Sequence, residues 1–207
     1  MSTGIVLKLA FFTLLIGLLA IRGFFGWKAR QSGHSSSFAG DGDVEQPGSR
    51  SGAIVAIVLL CVAGLLVLYG VSPAPLHWLS VPLPGWLRWL AVGLGVAALG
   101  LQVWVHDTLQ KRWFADAQSS ERHILITEGP YRWVRHPMYA ALMLFFMGLS
   151  LVSAFWPFVV LAFLMIPLFH RAASREEVVM MGRFPVEYRD YMRRTARFLP
   201  RLLSGAR

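Results

Sequence analysis

Four long tracts nearly free of charge set the terms on which this chain can fold. Residues 9–21, 53–71 and 138–169 contain no charged side chain, and residues 86–105 contain only Arg88, near their start. A bilayer core about 30 Å thick needs roughly 20 apolar residues of helix, because no water there can satisfy backbone groups. Lys8 and Arg22 flank the first tract and can snorkel toward the interfaces. The last tract, with 32 residues, would make a helix of about 48 Å. That is too long for one crossing and short for two. Ser150, Ser153 and the Trp156-Pro157 pair put a break near its middle, so a hairpin of two shortened helices is expected there. The sequence thus predicts an all-α integral membrane protein with about five transmembrane helices, the last two a hairpin, and a cytosolic C-terminal helical tail.

Composition supports the same class. AVILMFWYC make up 56% of the 207 residues and charged residues 15%, which excludes disorder and argues against a water-soluble domain. Three regions follow. Residues 1–27 are expected to form a retained N-terminal transmembrane helix rather than a cleaved leader, because Arg22, Lys28 and Arg30 place positive charge after the apolar run. Residues 28–52 are rich in Gly and Ser and read as a flexible polar linker. Residues 53–207 carry the remaining spans and the polar segments. With five spans and the N-terminus outside, 18 of the 20 Lys and Arg residues fall on the cytoplasmic side, so the net charge of +9 is one-sided. The eight Trp residues (27, 78, 86, 89, 104, 113, 133 and 156) fall at or near span ends, as an interfacial belt requires.

Two polar segments, 121–139 and 170–201, bracket the hairpin. A hairpin returns the chain to the face it left, so the two are expected to meet. In the first, Thr127-Glu128-Gly129-Pro130 reads as a turn, and Pro137 fits the first position of a helix. Free N–H groups of Met138, Tyr139 and Ala140 are then expected beside Arg135 and His136, a combination suited to a carboxylate or phosphate. In the second segment Glu176 and Glu177 stand against a strongly basic background. They either pair locally with arginines or hold a cationic ligand group. Tyr188 and Tyr191 fit the apolar face of an amphipathic tail helix.

Other chemistries lack their residues. The six His show no metal-ligand spacing and the lone Cys61 offers no thiolate cluster, so no metal is expected. No phosphate-binding P-loop, GxGxxG or GxSxG occurs; Gly93-Leu94-Gly95 lies within a span and suits helix packing. The spans hold no acid, which argues against an ion-coupled pump. Nor does one-sided charge beside apolar spans suggest nucleic acid; membrane lipid is the expected partner.

At the two polar segments the sequence resembles the isoprenylcysteine carboxyl methyltransferases and, more broadly, the membrane methyltransferases that include phospholipid methyltransferases. The resemblance is carried by Arg135-His136-Pro137-Met138-Tyr139-Ala140-Ala141, the apolar tract after it and the Glu176-Glu177 pair, with Thr127 to Arg132 upstream. Downstream, Phe184, Glu187-Tyr188, Tyr191, Arg194-Thr195 and Arg197 to Pro200 complete it. Ala141 and Pro185 depart from the family pattern, each standing where that pattern has glycine. The match covers roughly residues 86–201.

This resemblance implies an S-adenosylmethionine-dependent methyltransferase acting on a lipophilic substrate that enters from the bilayer, with a carboxylate as the expected acceptor. It also implies catalytic roles for Arg135, Glu177 and Tyr139, and a cofactor site of Glu128, Gly129, Tyr131, Arg135, His136, Tyr139, Glu176, Glu177, Tyr188 and Arg194. An ionised carboxylate needs no general base, whereas an amine must first lose a proton. The alternatives are methylation of a phospholipid amine headgroup, a non-catalytic membrane protein with a lipid-binding basic tail and, more remotely, a reductase using NADPH.

Overall fold

The computed structural model describes residues 3–31, 50–71, 78–118 and 125–200, with side chains omitted at 50–59, 61 and 112–118. Within them the chain is helical: α1 (Thr3–Gln31), α2 (Arg50–Val71), α3 (Gly85–Gln118), a 3-10 turn (Gly129–Arg132), α4 (Pro137–Ser153), α5 (Trp156–Arg183) and α6 (Glu187–Arg194). Among the described residues the bridges between extended segments are Ser80 with Phe155 and Val134 with Ala196. Among the described residues three helical stretches are long and apolar enough to cross a membrane: α1, Gly85–Lys111 of α3, and α5. Val62–Val71 and α4 are apolar but shorter.

Why these helices pack is visible in their small residues. The backbones of α3 and α4 approach closely: a Cβ on Gly148 would meet the Ala91 carbonyl oxygen and the Gly95 nitrogen at 3.3 Å each. On the neighbouring side a Cβ on Gly95 would come within 2.8 Å of Leu14 of α1. Close approach over small residues is how helices associate where lipid removes the hydrophobic drive. Gly95 thus serves the packing expected of it, whereas Gly93 has open space around it. Phe11, Leu14 and Leu18 of α1 join Ala91 and Ala98 of α3 and Leu142, Phe145, Leu149 and Val152 of α4 in one buried cluster. The first helix is therefore part of the packed body. Large apolar residues such as Ile16, Leu60, Leu90 and Phe163 point outward instead, an apolar exterior that suits lipid. The seven Trp residues whose side chains are described are all exposed, consistent with an interfacial belt.

The hairpin breaks at Ala154-Phe155. Ala154 adopts a left-handed backbone (φ 51°) as the C-cap of α4, and its N–H bonds the Ser150 carbonyl. Arg88 closes this end: Nε and Nη2 donate to the Val152 carbonyl at 3.0 and 2.7 Å. A guanidinium on the orphan carbonyls of a helix C-terminus is favourable by hydrogen bonding and by the helix dipole. Ser80 and Val81 then pair with the hairpin turn, Val81 N–H bonding the Ala154 carbonyl at 2.8 Å.

Several boundaries differ from the sequence expectation. α1 continues to Gln31 rather than ending at 27, and most of the expected linker, residues 32–49, lies outside the described residues, as does the start of the first polar segment at 121–124. α3 runs well past residue 105. The second hairpin helix is not shortened: α5 passes through Pro167 and His170 to Arg183, so the first half of the expected tail is a continuation of a span. Proline removes one N–H from a helix but leaves the rest of its ladder intact, and an uninterrupted α5 carries Glu176 and Glu177 directly beneath the apolar stretch. Arg88, expected at the outer interface as a lone charge, is engaged on α4.

Candidate active site

The two polar segments meet at the end of the hairpin opposite Arg88. Pro137 is the first residue of α4, as expected, with His136 as N-cap. A proline there loses nothing, since its N–H would have no partner. The extended stretch before it, residues 134–136, is held by the chain after α6: Arg135 N–H bonds the Ala196 carbonyl at 2.8 Å and His136 N–H the Arg197 carbonyl at 3.1 Å. These two bonds set α4's first turn against the tail. The Ala140 N–H is not free as the sequence suggested, because it donates to the His136 carbonyl at 3.1 Å. An N-terminus exposes only its first donors, leaving those of Met138 and Tyr139.

Glu177 is the centre of the cluster. Its side chain is 4% exposed, Arg135 Nε donates to its Oε1 at 3.0 Å, and Arg197 reaches both carboxylate oxygens, Nε to Oε1 at 3.2 Å and Nη2 to Oε2. His136 Nε2 lies 3.3 Å from the same Oε1. Of the two possibilities open at the sequence level, local pairing with arginines describes Glu177. Arg135 is equally committed. Its Nη1 donates to the carbonyls of Met192, at 3.1 Å, and Thr195, capping the end of α6. Arg197 in turn donates to His170 Nε2 at 2.9 Å and Ser174 Oγ at 3.2 Å.

Glu176 differs. Its side chain is 35% exposed, accepts from the Tyr139 hydroxyl and stands 3.3 Å from His136 Nδ1. The Tyr139 ring is stacked between His136, with centroids 5.8 Å apart, and Phe169, at 5.4 Å. So the cluster presents one accessible carboxylate, backed by an aromatic stack and a buried network of compensated charge.

The tail helix α6 docks through its two tyrosines. Both are buried, their rings 5.8 Å apart, and the Tyr191 hydroxyl donates to the Tyr131 carbonyl at 2.6 Å. Burial, reinforced by the nearby Glu177 carboxylate, pushes the Tyr188 phenol up to about 12. Burial also raises the Tyr131 and Tyr191 phenols.

Of the residues singled out in the sequence, Arg135, His136, Tyr139, Glu176 and Glu177 form one constellation, with Tyr188 and Tyr131 beside it. Gly129 faces elsewhere: its backbone is left-handed (φ 58°), and a Cβ would lie 2.9 Å from Thr108 Oγ1 of α3. Glycine is needed there for the turn and the close approach. Glu128, next to it, is exposed, and Arg194 is exposed at the end of α6 with no ion pair to the cluster among the described residues. Ala141 is fully buried, so its methyl is absorbed by helix packing, and Pro185 sits exposed in the turn between α5 and α6. Arg197, His170, Ser174 and Phe169 were not among the expected site residues. Arg197 was legible as the second arginine of Arg194-Thr195-Ala196-Arg197; nothing local marked Phe169 within its apolar run.

Long helices with an apolar exterior, closed at one end by two acids, two arginines, a histidine and a tyrosine, fit a membrane protein with a polar cluster at one end of its helices. Residues 86–186, about half of the chain, match the model of the phospholipid methyltransferase family. The segment that matches this family contains Arg135, His136, Tyr139, Glu176 and Glu177. Among curated proteins it is 31% identical over 119 residues to the cobalt-zinc-cadmium resistance protein CzcN of Cupriavidus metallidurans, covering 56% of this chain and 52% of that protein. It is 31% identical over 116 residues to the nickel-cobalt-cadmium resistance protein NccN of Alcaligenes xylosoxydans xylosoxydans, covering 55% and 53%. The chain thus spans about half the length of the curated relatives it matches.

Proposed function

We propose that this chain is a membrane methyltransferase that uses S-adenosylmethionine to methylate a lipophilic acceptor, a carboxylate in preference to an amine. The single observation that carries the proposal is the contrast within the glutamate pair, one buried and compensated and the other accessible, in a segment belonging to a methyltransferase family. The donor's amino-acid end carries an ammonium and a carboxylate, so it needs an acid and hydrogen-bond donors close together. Glu176 supplies the acid. The Met138 and Tyr139 N–H groups at the start of α4 supply donors for the carboxylate. When bound, the donor would provide an activated sulfonium methyl group, leaving the protein to align the acceptor and exclude water.

In this reading Glu177 and Arg135 are positioning residues. Their charges are satisfied by each other, by Arg197 and by the end of α6, and they hold α4, α5 and the tail in register around Glu176. Tyr139 orients Glu176 through its hydroxyl. No side chain in the cluster is an uncommitted base, which favours an acceptor already ionised at neutral pH. The five-span topology, with the cluster and C-terminus cytoplasmic and the N-terminus outside, belongs to the same proposal and rests on the one-sided Lys and Arg distribution. Resistance to metals is what CzcN and NccN are named for; no group of three or more His, Cys, Asp or Glu suited to a metal ion occurs among the described residues.

The description of the matched family favours a second reading, transfer to a phospholipid amine. Labelled product distinguishes the two: an ester releases its methyl in alkali, an N-methyl group does not. The first test is calorimetry of S-adenosylmethionine binding to the purified chain in detergent. Saturable binding that Glu176→Gln weakens is the expected result, and absence of saturable binding overturns the proposal.

A further inference from the structure

A second polar locus lies on the α1 side of Tyr139, away from the glutamates. On α1 the buried residues Leu7, Phe11, Leu14, Leu18, Phe25 and Ala29 recur at spacings of three, four and, from Leu18 to Phe25, seven, so Arg22, four after Leu18 and three before Phe25, lies along the packed seam. It is half-buried there. Phe25, one turn on, lies against His106 of α3 with ring centroids 4.9 Å apart, and its carbonyl accepts from Gln110 Nε2 at 3.4 Å. Farther back along the same helices a Cβ on Gly17 would meet Leu99 of α3 at 3.1 Å, so α1 and α3 run side by side in one direction and Arg22 lies level with the turn of α3 that carries Gln102. Among the described residues no hydrogen bond or ion pair occupies its guanidinium, whereas Arg88, Arg135 and Arg197 are all engaged.

Beside it is an unmet acceptor. Gln102 of α3 is fully buried, and its Nε2 donates to the Met138 carbonyl in the first turn of α4 at 3.2 Å. That bond fixes the amide's orientation, because turning it over would set two oxygens against each other. Its Oε1 is then left buried without a hydrogen-bond partner among the described residues. A buried carbonyl oxygen of this kind costs about 1–3 kcal/mol unless something donates to it. A guanidinium with no hydrogen bond or ion pair among the described residues and a buried amide oxygen without a donor thus lie at the level where α4 begins.

We propose that Arg22 of α1, with Gln102 of α3, receives the oxyanion headgroup of the acceptor lipid, making Arg22 a specificity-determining residue supplied from outside the family segment. The chemistry is an anionic oxygen for the guanidinium, with a hydroxyl, amine or bridging water donating to Gln102 Oε1. A carboxylate and a phosphate share this chemistry. In calling the ligand the acceptor the inference rests on the methyltransferase reading; anionic lipid binding at Arg22 does not. The position also fits the division of labour across Tyr139, whose hydroxyl bonds Glu176 on the donor side.

The test uses the full chain in phosphatidylcholine vesicles, with lipid immobilisation read by electron spin resonance and no methyl donor present. Spin-labelled stearate, spin-labelled phosphatidic acid and uncharged spin-labelled methyl stearate are compared at a pH where the acids are ionised. The wild type is expected to retain at least one of the anionic probes over methyl stearate by roughly fivefold, the better of the two telling carboxylate from phosphate. Arg22→Gln is expected to abolish the preference and Arg22→Lys to reduce it, since a point charge lacks the guanidinium fork. The exposed-tail variant Arg189→Gln/Arg193→Gln should keep it. An unchanged preference in Arg22→Gln, or in Arg22→Lys if the first variant does not fold, overturns the inference. So does loss of the preference in the tail variant alone. Because no donor is used, failure here is separate from failure to bind S-adenosylmethionine.

Discussion

The two ends of the α4–α5 hairpin solve the same problem with different chemistry. At the turn, Arg88 reaches from α3 to the last carbonyls of α4, Val81 pairs with Ala154, and no acid is involved. At the opposite end two arginines, two glutamates, a histidine and a tyrosine crowd into one cluster, and one of the arginines caps α6 as Arg88 caps α4. Stability alone asks only for the first arrangement. Burying Glu177 between two guanidiniums incurs desolvation that a well-packed apolar core would avoid, so the second arrangement is organised around something other than closing a helix. Its by-product is Glu176, an accessible carboxylate in a fixed place.

That comparison can be broken most sharply at Glu177. Glu177→Leu would leave Arg135 and Arg197 facing each other without their anion, at a cost of about 3–5 kcal/mol. The expected outcome is undocking of the tail, seen as rapid proteolysis near Arg189 and Arg193 and a lowered melting temperature. Retention of wild-type stability would mean the cluster is not the keystone described. Arg88→Met is expected to cost less, about 1.5–3 kcal/mol for lost charge-assisted hydrogen bonds, and to leave methyl transfer intact once the protein is folded. Loss of activity in a folded Arg88→Met protein would erase the distinction between the two ends.

Glu176→Gln is expected to do the reverse. Stability should change by less than about 0.5 kcal/mol, as for a surface substitution, while affinity for the methyl donor falls about tenfold, or about 1.4 kcal/mol. Calorimetry and a thermal melt on the same sample separate these outcomes.

The smallest effect concerns pH. Tyr188 is held neutral in the folded tail, with its phenol raised from 10.0 to about 12 by burial and by the neighbouring carboxylate. A group raised on folding contributes stability that is complete below its unfolded value and is lost as pH climbs through the folded one. Hydrogen exchange in α6 should therefore be flat up to about pH 10 once corrected for intrinsic rates, then accelerate toward pH 12. The Tyr188→Phe variant should lose only part of that dependence, the rest belonging to Tyr191 and Tyr131, whose phenols burial also raises.

Much of this architecture was legible in the chain. Uncharged length gave the spans, Trp156-Pro157 marked the hairpin break to within two residues, and the return of the chain brought 135–139 and 176–177 together. What was not legible depends on partners far away in sequence. Whether Glu177 pairs with arginines or awaits a ligand is decided by Arg197, brought in by two backbone bonds from 135 and 136. Arg22 read as a snorkelling flank because nothing in residues 4–27 reveals that their buried face meets α3. α5 exceeded its expected end because the uncharged tract stops at Phe169, whereas the helix continues unbroken into the polar residues as far as Arg183.

The most direct measurement follows a labelled methyl group from S-adenosylmethionine in membranes containing the chain, extracted into lipid and treated with alkali. The expected result is label in the lipid fraction that alkali releases as methanol and that Glu176→Gln sharply reduces. Lipid label no greater than in membranes lacking the chain would contradict the assignment of the cluster as a methyl-transfer site.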